Sequence, residues 1–170
     1  GSAAGGAAGQ GGSGGVGGDG GAAGSGFRAW AEWPMPNQAG SGLPYLAKYT
    51  FVTVGADEVV RDEVTALVWQ RAVSATTFTW QEAMDYCGGL TLAGWSDWRL
   101  PSRIELVSLL DLSQTNPAVN RAAFPGTPGD WFWTASPQAG KPANAWNVYF
   151  YFGYVDTNDV QNRSLARCVR

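Results

Sequence analysis

Histidine is absent from this 170-residue chain. That absence removes Ser-His-Asp and Cys-His nucleophile systems, imidazole zinc ligation and histidine general bases together. Charge is scarce: Asp, Glu, Lys and Arg make up 15% of the residues, the net charge is -3, and the eleven basic residues are scattered. A nucleic-acid footprint gathers basic residues on one face or in one run, so no nucleic-acid partner is expected. No window approaches the roughly eighteen apolar residues of a membrane span, and no transmembrane segment is visible. Neither a Walker-type loop nor a dinucleotide fingerprint is present, since the glycine-rich start follows no strand and opens no helix. The chain opens on Gly1-Ser2 rather than Met, which reads as a mature or truncated product. Any signal peptide or lipid anchor would then lie outside the visible sequence. Cysteine is limited to Cys87 and Cys168, 81 positions apart, which excludes a Cys-x-x-Cys redox motif. A structural disulfide and a free pair both stay open.

What is present divides the chain at residue 26. Residues 1–26 hold only Gly, Ala, Ser, Gln, one Val and one Asp, with nothing large enough to anchor a core. They read as a disordered stalk or linker, with one domain over 27–170. Glycine falls at 6, 9, 12, 15, 18, 21 and 24, which makes seven consecutive Gly-X-Y triplets without a proline. Collagen needs glycine at every third residue and draws stiffness from imino acids. The tail is either a flexible stalk or the end of a longer Gly-X-Y rod, through which a homo-oligomer would form.

Residues 27–50, with Trp30, Trp33, Pro34, Pro36 and Pro44, read as an irregular strap packed on the domain. Phe51–Val54, Val59-Val60 and Leu67–Gln70 read as strands, with the acidic turn Asp62-Glu63 between the last two. Thr79 followed by Glu82, and Ser102 followed by Glu105, are capping boxes that open two helices. The first helix runs from Trp80 to about Tyr86, and the second places Ile104, Val107 and Leu110 on an apolar stripe beside Leu106 and Leu109. Pro117 to Pro128 is loop, and Trp131–Thr134 is a strand. Trp146–Phe152 alternates, with Trp146, Val148, Phe150 and Phe152 expected inside and Asn147, Tyr149 and Tyr151 outside. Asp156–Asn162 reads as a polar turn before a last strand, Leu165–Arg170. Helices early and antiparallel strands late give an α+β domain with small sheets and long loops.

Several of these segments together carry a family resemblance. They include Val60-x-Asp62-x-x-Thr65-x-Leu67-x-Trp69-Gln70, Thr79-Trp80-x-x-Ala83-x-x-x-Cys87, and Leu92-Ala93-Gly94-Trp95-x-Asp97-Trp98-Arg99-Leu100-Pro101-Ser102-x-x-Glu105-Leu106. Phe132-Trp133-Thr134, Trp146-x-Val148-x-Phe150-x-x-Gly153 and Arg167-Cys168-Val169-Arg170 complete the set. Over roughly residues 60–170 the chain resembles bacterial surface domains typified by the C-terminal domain of the Legionella collagen-like adhesin. The resemblance implies a C-type-lectin-like fold and one disulfide, Cys87 to Cys168, hence an oxidising compartment. It also implies an extracellular or cell-surface location and a role in adhesion or recognition. Arg99-Leu100-Pro101-Ser102 leading to Glu105 is also similar to a signature of the formylglycine-generating enzymes, which leaves an enzyme as the alternative. A purely structural surface protein is a further alternative.

No catalytic residue, metal or cofactor is assigned. Asp57-Glu58, Asp62-Glu63, Asp156 and Asp159 read as solvated loop charges, Glu82 and Glu105 as capping groups. Asp97 and Arg99 read as scaffold, paired with each other or with backbone. The tripeptides through which C-type lectins hold sugar on calcium are missing, and Asp156, Asn158 and Asp159 are too few for the six to eight oxygens calcium takes. Trp69, Trp80, Trp98 and Trp146 are expected in the core. The candidate ligand face is Asn144, Asn147, Tyr149, Tyr151, Tyr154 and Asn158, where rings and amides suit a glycan or protein ligand.

Overall fold

A computed structural model describes residues 35–170. The expected stalk over 1–26, and the strap residues Trp30 and Trp33, lie outside the described residues. The elements are β1 (Tyr49–Val54), β2 (Asp57–Asp62), β3 (Val68–Gln70), α1 (Trp80–Gly88), α2 (Arg103–Val107), β4 (Trp131–Pro137), β5 (Asn144–Tyr149) and β6 (Tyr154–Asp159). They form two three-stranded antiparallel sheets, ordered β1-β2-β3 and β4-β5-β6. The domain is α+β, as its sequence suggests.

Both helices start where their capping boxes place them. Thr79 and Ser102 each accept from the backbone N–H of the glutamate three residues on, and each glutamate reaches back to the cap N–H. These exchanges satisfy donors that the first helical turn leaves open. Helix α2 is short, so the expected apolar stripe is only partly helical. Leu106 and Leu109 are buried, whereas Ile104, Val107 and Leu110 are half-buried.

The β4–β5 pair is covered on both faces. Phe132 and Val148, directly opposite in register, enter one cluster with Leu106, Leu109, Phe124 and Phe150. Trp133 and Ala145 point the other way, into a second cluster with Ala83, Cys87, Trp98, Leu100 and Cys168. Within that second cluster Cys87 and Cys168 form a disulfide, Cα atoms 5.4 Å apart, with both residues fully buried.

Residues 164–170 do not form a regular strand, contrary to expectation. They lace the two sheets together through isolated bridges. Leu165 lies against Phe132 on β4, and Val169 lies against both Trp69 on β3 and Arg99. The core also differs in detail from the sequence reading. Trp69 and Trp98 are buried, but Trp80 and Trp146 are only half-buried. The Trp80 indole N–H reaches the Thr134 carbonyl at 2.8 Å, and Trp146 lies under the Arg103 guanidinium at 4.3 Å. Both rings therefore seal the edge of the core rather than fill its centre.

Candidate functional site

The turn between β5 and β6 gathers an aromatic cluster at one end of the second sheet. Strand β5 ends at Tyr149 and β6 begins at Tyr154, which faces it in register. Phe150 is fully buried and pins the turn to the core. Ala118 and Asn116 donate their N–H groups to the carbonyls of Phe150 and Tyr151. Gly153 completes the turn at φ 79°, a conformation that favours glycine, with the Leu112 side chain against it.

Five rings meet at this tip: Trp131, Tyr149, Tyr151, Phe152 and Tyr154. Tyr149 stacks near-parallel on Trp131 at 4.6 Å and on Tyr151 at 5.9 Å, and Tyr154 tilts against it at 5.1 Å. Phe152 stands across Tyr151 at 4.5 Å. The faces of Tyr149 are thus occupied by neighbouring rings. The most open rings are Phe152 and Tyr154, 60% and 46% exposed. Gly129 permits the arrangement. A Cβ there would strike the Asn116 side-chain oxygen and come within 3.2 Å of the Tyr151 backbone. The exposed Asn116 amide is thereby placed beside Tyr151.

Of the six residues expected to form the ligand face, the structure brings together Tyr149, Tyr151 and Tyr154. Asn147 is 1% exposed, which corrects its expected placement on the surface. It pairs with Trp133 on one side and Asp156 on the other, on the sheet face that α1 and the second core cover. Phe152, expected inside, is outside, because β5 stops at Tyr149 and the strand alternation stops with it. Asn144 and Asn158 lie at the far end of the β5–β6 hairpin, opposite Asp159 and Ala145. At about 3.4 Å per residue, that is more than 13 Å from the tyrosines. The Asn158 side-chain oxygen is already engaged by the Asn162 amide at 2.6 Å. Asp156–Asp159, read as part of a polar turn over Asp156–Asn162, belong to the edge strand β6 (Tyr154–Asp159). Trp131, Phe152 and Asn116 were not among the residues expected at this face. Only the register across the sheet and the shape of the turn bring them to this place.

The ionisable groups elsewhere have structural partners. Arg99 grips Glu105 with both terminal nitrogens, at 2.7 and 2.6 Å, rather than pairing with Asp97. Burial alone would raise the Glu105 pKa, but the Arg99 hydrogen bonds and charge, with the Ser102 N–H, hold it below the usual carboxylate range. Asp97 instead pairs with Arg170, whose hydrogen bond holds it low. Asp62 is buried rather than solvated. Burial raises its pKa, and hydrogen bonds from Val64 and Thr65 partly offset this. Arg167 is buried, and among the described residues it has no carboxylate partner. It donates to the carbonyls of Gln70 and Arg71 and to the Thr127 hydroxyl, and burial pulls its pKa down to about 9. These bonds tie the C-terminal segment to β3 and to the loop before β4.

A groove of about 660 Å³ runs between the strap and the chain after α2, lined by Met35, Leu43, Leu109, Leu110, Leu112 and Val155 among others. Among the described residues no three of Asp, Glu, Cys or His converge as a metal cluster. Strand alternation turns Asp159 away from Asp156 and Asn158. Among the same residues no helix is long and apolar enough to cross a membrane.

Two comparisons with known proteins bear on this arrangement. A family model described as the Lcl C-terminal domain matches residues 58–170, which hold β2 onward, both helices, the disulfide and the whole aromatic tip. No curated protein matches the chain.

Proposed function

This chain belongs to the Lcl C-terminal domain family, and from that membership we propose that it is a surface-displayed recognition module with a C-type-lectin-like fold. Its aromatic tip contacts an extracellular glycan or protein ligand. The observation that carries the reading is the five-ring cluster at the β5–β6 turn, with Phe152 and Tyr154 largely in solvent. Contiguous exposed aromatic surface is costly in water and commonly marks a contact site. A buried disulfide fits a protein that works in an oxidising compartment, at or outside the cell surface. The Gly-X-Y stalk would hold the domain away from that surface and join copies into a homo-oligomer.

We read the activity as binding rather than turnover. Glu105, Asp62, Asp97 and Arg167, four of the groups whose titration departs from the ordinary, are each engaged in holding loops or helix starts. The formylglycine-generating chemistry that Arg99–Glu105 brings to mind needs reactive cysteines, and both cysteines here are tied up in the disulfide. To test the reading, the purified chain is screened against glycan and extracellular-matrix protein arrays, with and without a calcium chelator. Binding that the chelator leaves intact and the Phe152→Ala/Tyr154→Ala double variant loses is the expected result. Binding that survives the double variant would place the site elsewhere.

A further inference from the structure

We propose that the aromatic tip is selective for uncharged glycans, an inference that rests on the recognition reading above and narrows it to one ligand class. Three features of the tip carry it. First, Phe152 and Tyr154 are the exposed rings, while Tyr149 and Tyr151 stack on their neighbours and hold them in place. A pyranose presents an apolar face of C–H groups, which lies against such a ring without demanding that either partner reorganise. Second, hydrogen-bonding capacity surrounds the rings and is unspent. Among the described residues the one tyrosine hydroxyl held by a side-chain hydrogen bond is that of Tyr86, so those of Tyr149, Tyr151 and Tyr154 are available. The Asn116 amide beside Tyr151 adds both a donor and an acceptor.

Third, two carboxylates stand at the tip against the Arg121 guanidinium, which donates to the Thr115 and Asn116 carbonyls. Asp156 shares a sheet face with Tyr154, two positions along β6, and is exposed. Asp130, also exposed, directly precedes Trp131 and holds that residue's N–H with its carboxylate. Carboxylates accept hydrogen bonds from sugar hydroxyls but repel sulfate and uronate groups. The chain as a whole, at net charge -3, adds to that repulsion. An aromatic platform with free hydroxyls, an amide and two carboxylates suits a neutral saccharide, and it disfavours an anionic one.

Native affinity electrophoresis of the full chain tests this, in gels cast with a soluble β-glucan, a mannan, a galactan or heparin, each with EDTA. Retardation by at least one neutral polysaccharide and none by heparin is expected. Phe152→Ala and Tyr154→Ala should each weaken that retardation roughly tenfold, the scale of one stacked ring. Because both side chains are exposed, Phe152 more than Tyr154, thermal denaturation of the variants should stay close to the parent, which separates lost binding from lost fold. Retardation by heparin alone would overturn the charge argument, and retardation by none of the four would overturn the glycan assignment. The same variants run against matrix proteins then separate the two levels. Loss of protein binding in the variants would keep the tip as a contact site while refuting its ligand class. Unchanged binding throughout would refute both.

Discussion

Breaking the Arg99–Glu105 pair should destabilise the domain more than its position near the surface suggests. Glu105 is buried, accepts both Arg99 terminal nitrogens and the Ser102 N–H, and opens α2 as the second half of its capping box. Arg99→Ala leaves that carboxylate in the protein interior with one remaining donor. Removing one partner of a fully buried pair costs about 3–5 kcal/mol. Here the Arg99 side chain is about half exposed, and water reaching the site discounts the cost to roughly 2–3 kcal/mol. For a domain of this size, that is a fall in Tm of about 6–12 °C. Glu105→Gln should cost somewhat less, because the amide oxygen still accepts from Ser102 and one Arg99 nitrogen, while the charge and the second acceptor oxygen are lost.

The two variants also differ from the parent in their pH response. The folded-state pKa of Glu105 lies below its unfolded value. Its contribution is therefore fully present above the unfolded carboxylate value of about 4.3, and it is lost as pH falls through the lowered folded value. Urea denaturation between pH 7 and pH 3 should show the gap between parent and Glu105→Gln closing across that window. A double-mutant cycle with Arg99→Met and Glu105→Leu supplies the coupling energy, expected at about 1–3 kcal/mol. If Arg99→Ala lowered stability by less than about 0.5 kcal/mol, the pair would be a surface contact of no consequence. The burial argument for Glu105 would then be wrong.

Three other outcomes follow from the structure. Replacing Cys87 and Cys168 by serine should cost up to about 4–5 kcal/mol on the chain-entropy model for a closed loop of this length, read as a shift in the denaturation midpoint. Trp98→Ala removes a buried ring from the cluster around the disulfide and should cost about 3–5 kcal/mol. A Trp98→Ala protein of parental stability would remove Trp98 from the core. Gly129→Ala forces Asn116 and Tyr151 apart and should lower stability by about 1–3 kcal/mol, as overpacking does. It should weaken ligand binding as well, whereas Asn158→Ala, at the other end of the hairpin, should leave binding at the parental level.

How much of this was legible in the chain depends on the range of the interaction. Thr79 with Glu82 and Ser102 with Glu105 act within one turn of helix, so their spacing alone places both helix starts. The disulfide came from family resemblance, since no local rule brings Cys87 next to Cys168. Position on β5 was misread for a reason that applies to any central strand. Alternation predicts exposure only where one face of a sheet meets water, and β5 has the second core behind Asn147 and the first behind Val148. Asn147 is consequently buried with its side-chain oxygen unpartnered among the described residues. The polarity of Asp156–Asn162 suggested a turn because edge strands carry charge where central ones cannot, and Asp156 and Asp159 are what such an edge looks like in one dimension.

The same reasoning explains why the sequence brings out the tyrosines of the aromatic tip and not the residues around them. Tyr149, Tyr151 and Tyr154 lie close together in sequence, so any short turn between Tyr149 and Tyr154 brings them to one place. Trp131 reaches them only through the β4–β5 register, and Asn116 only because Gly129 leaves no side chain in the way. Phe152 depends on the single point at which β5 ends. Three more residues of strand, 150 to 152, would have turned its ring to the face of Val148 and Phe150, and the tip would have lost its most exposed aromatic surface. The exposed aromatic surface is therefore a product of where a strand stops. Gly153 closes the turn that follows, with a positive φ, its N–H on the Tyr149 carbonyl and the Leu112 side chain against it.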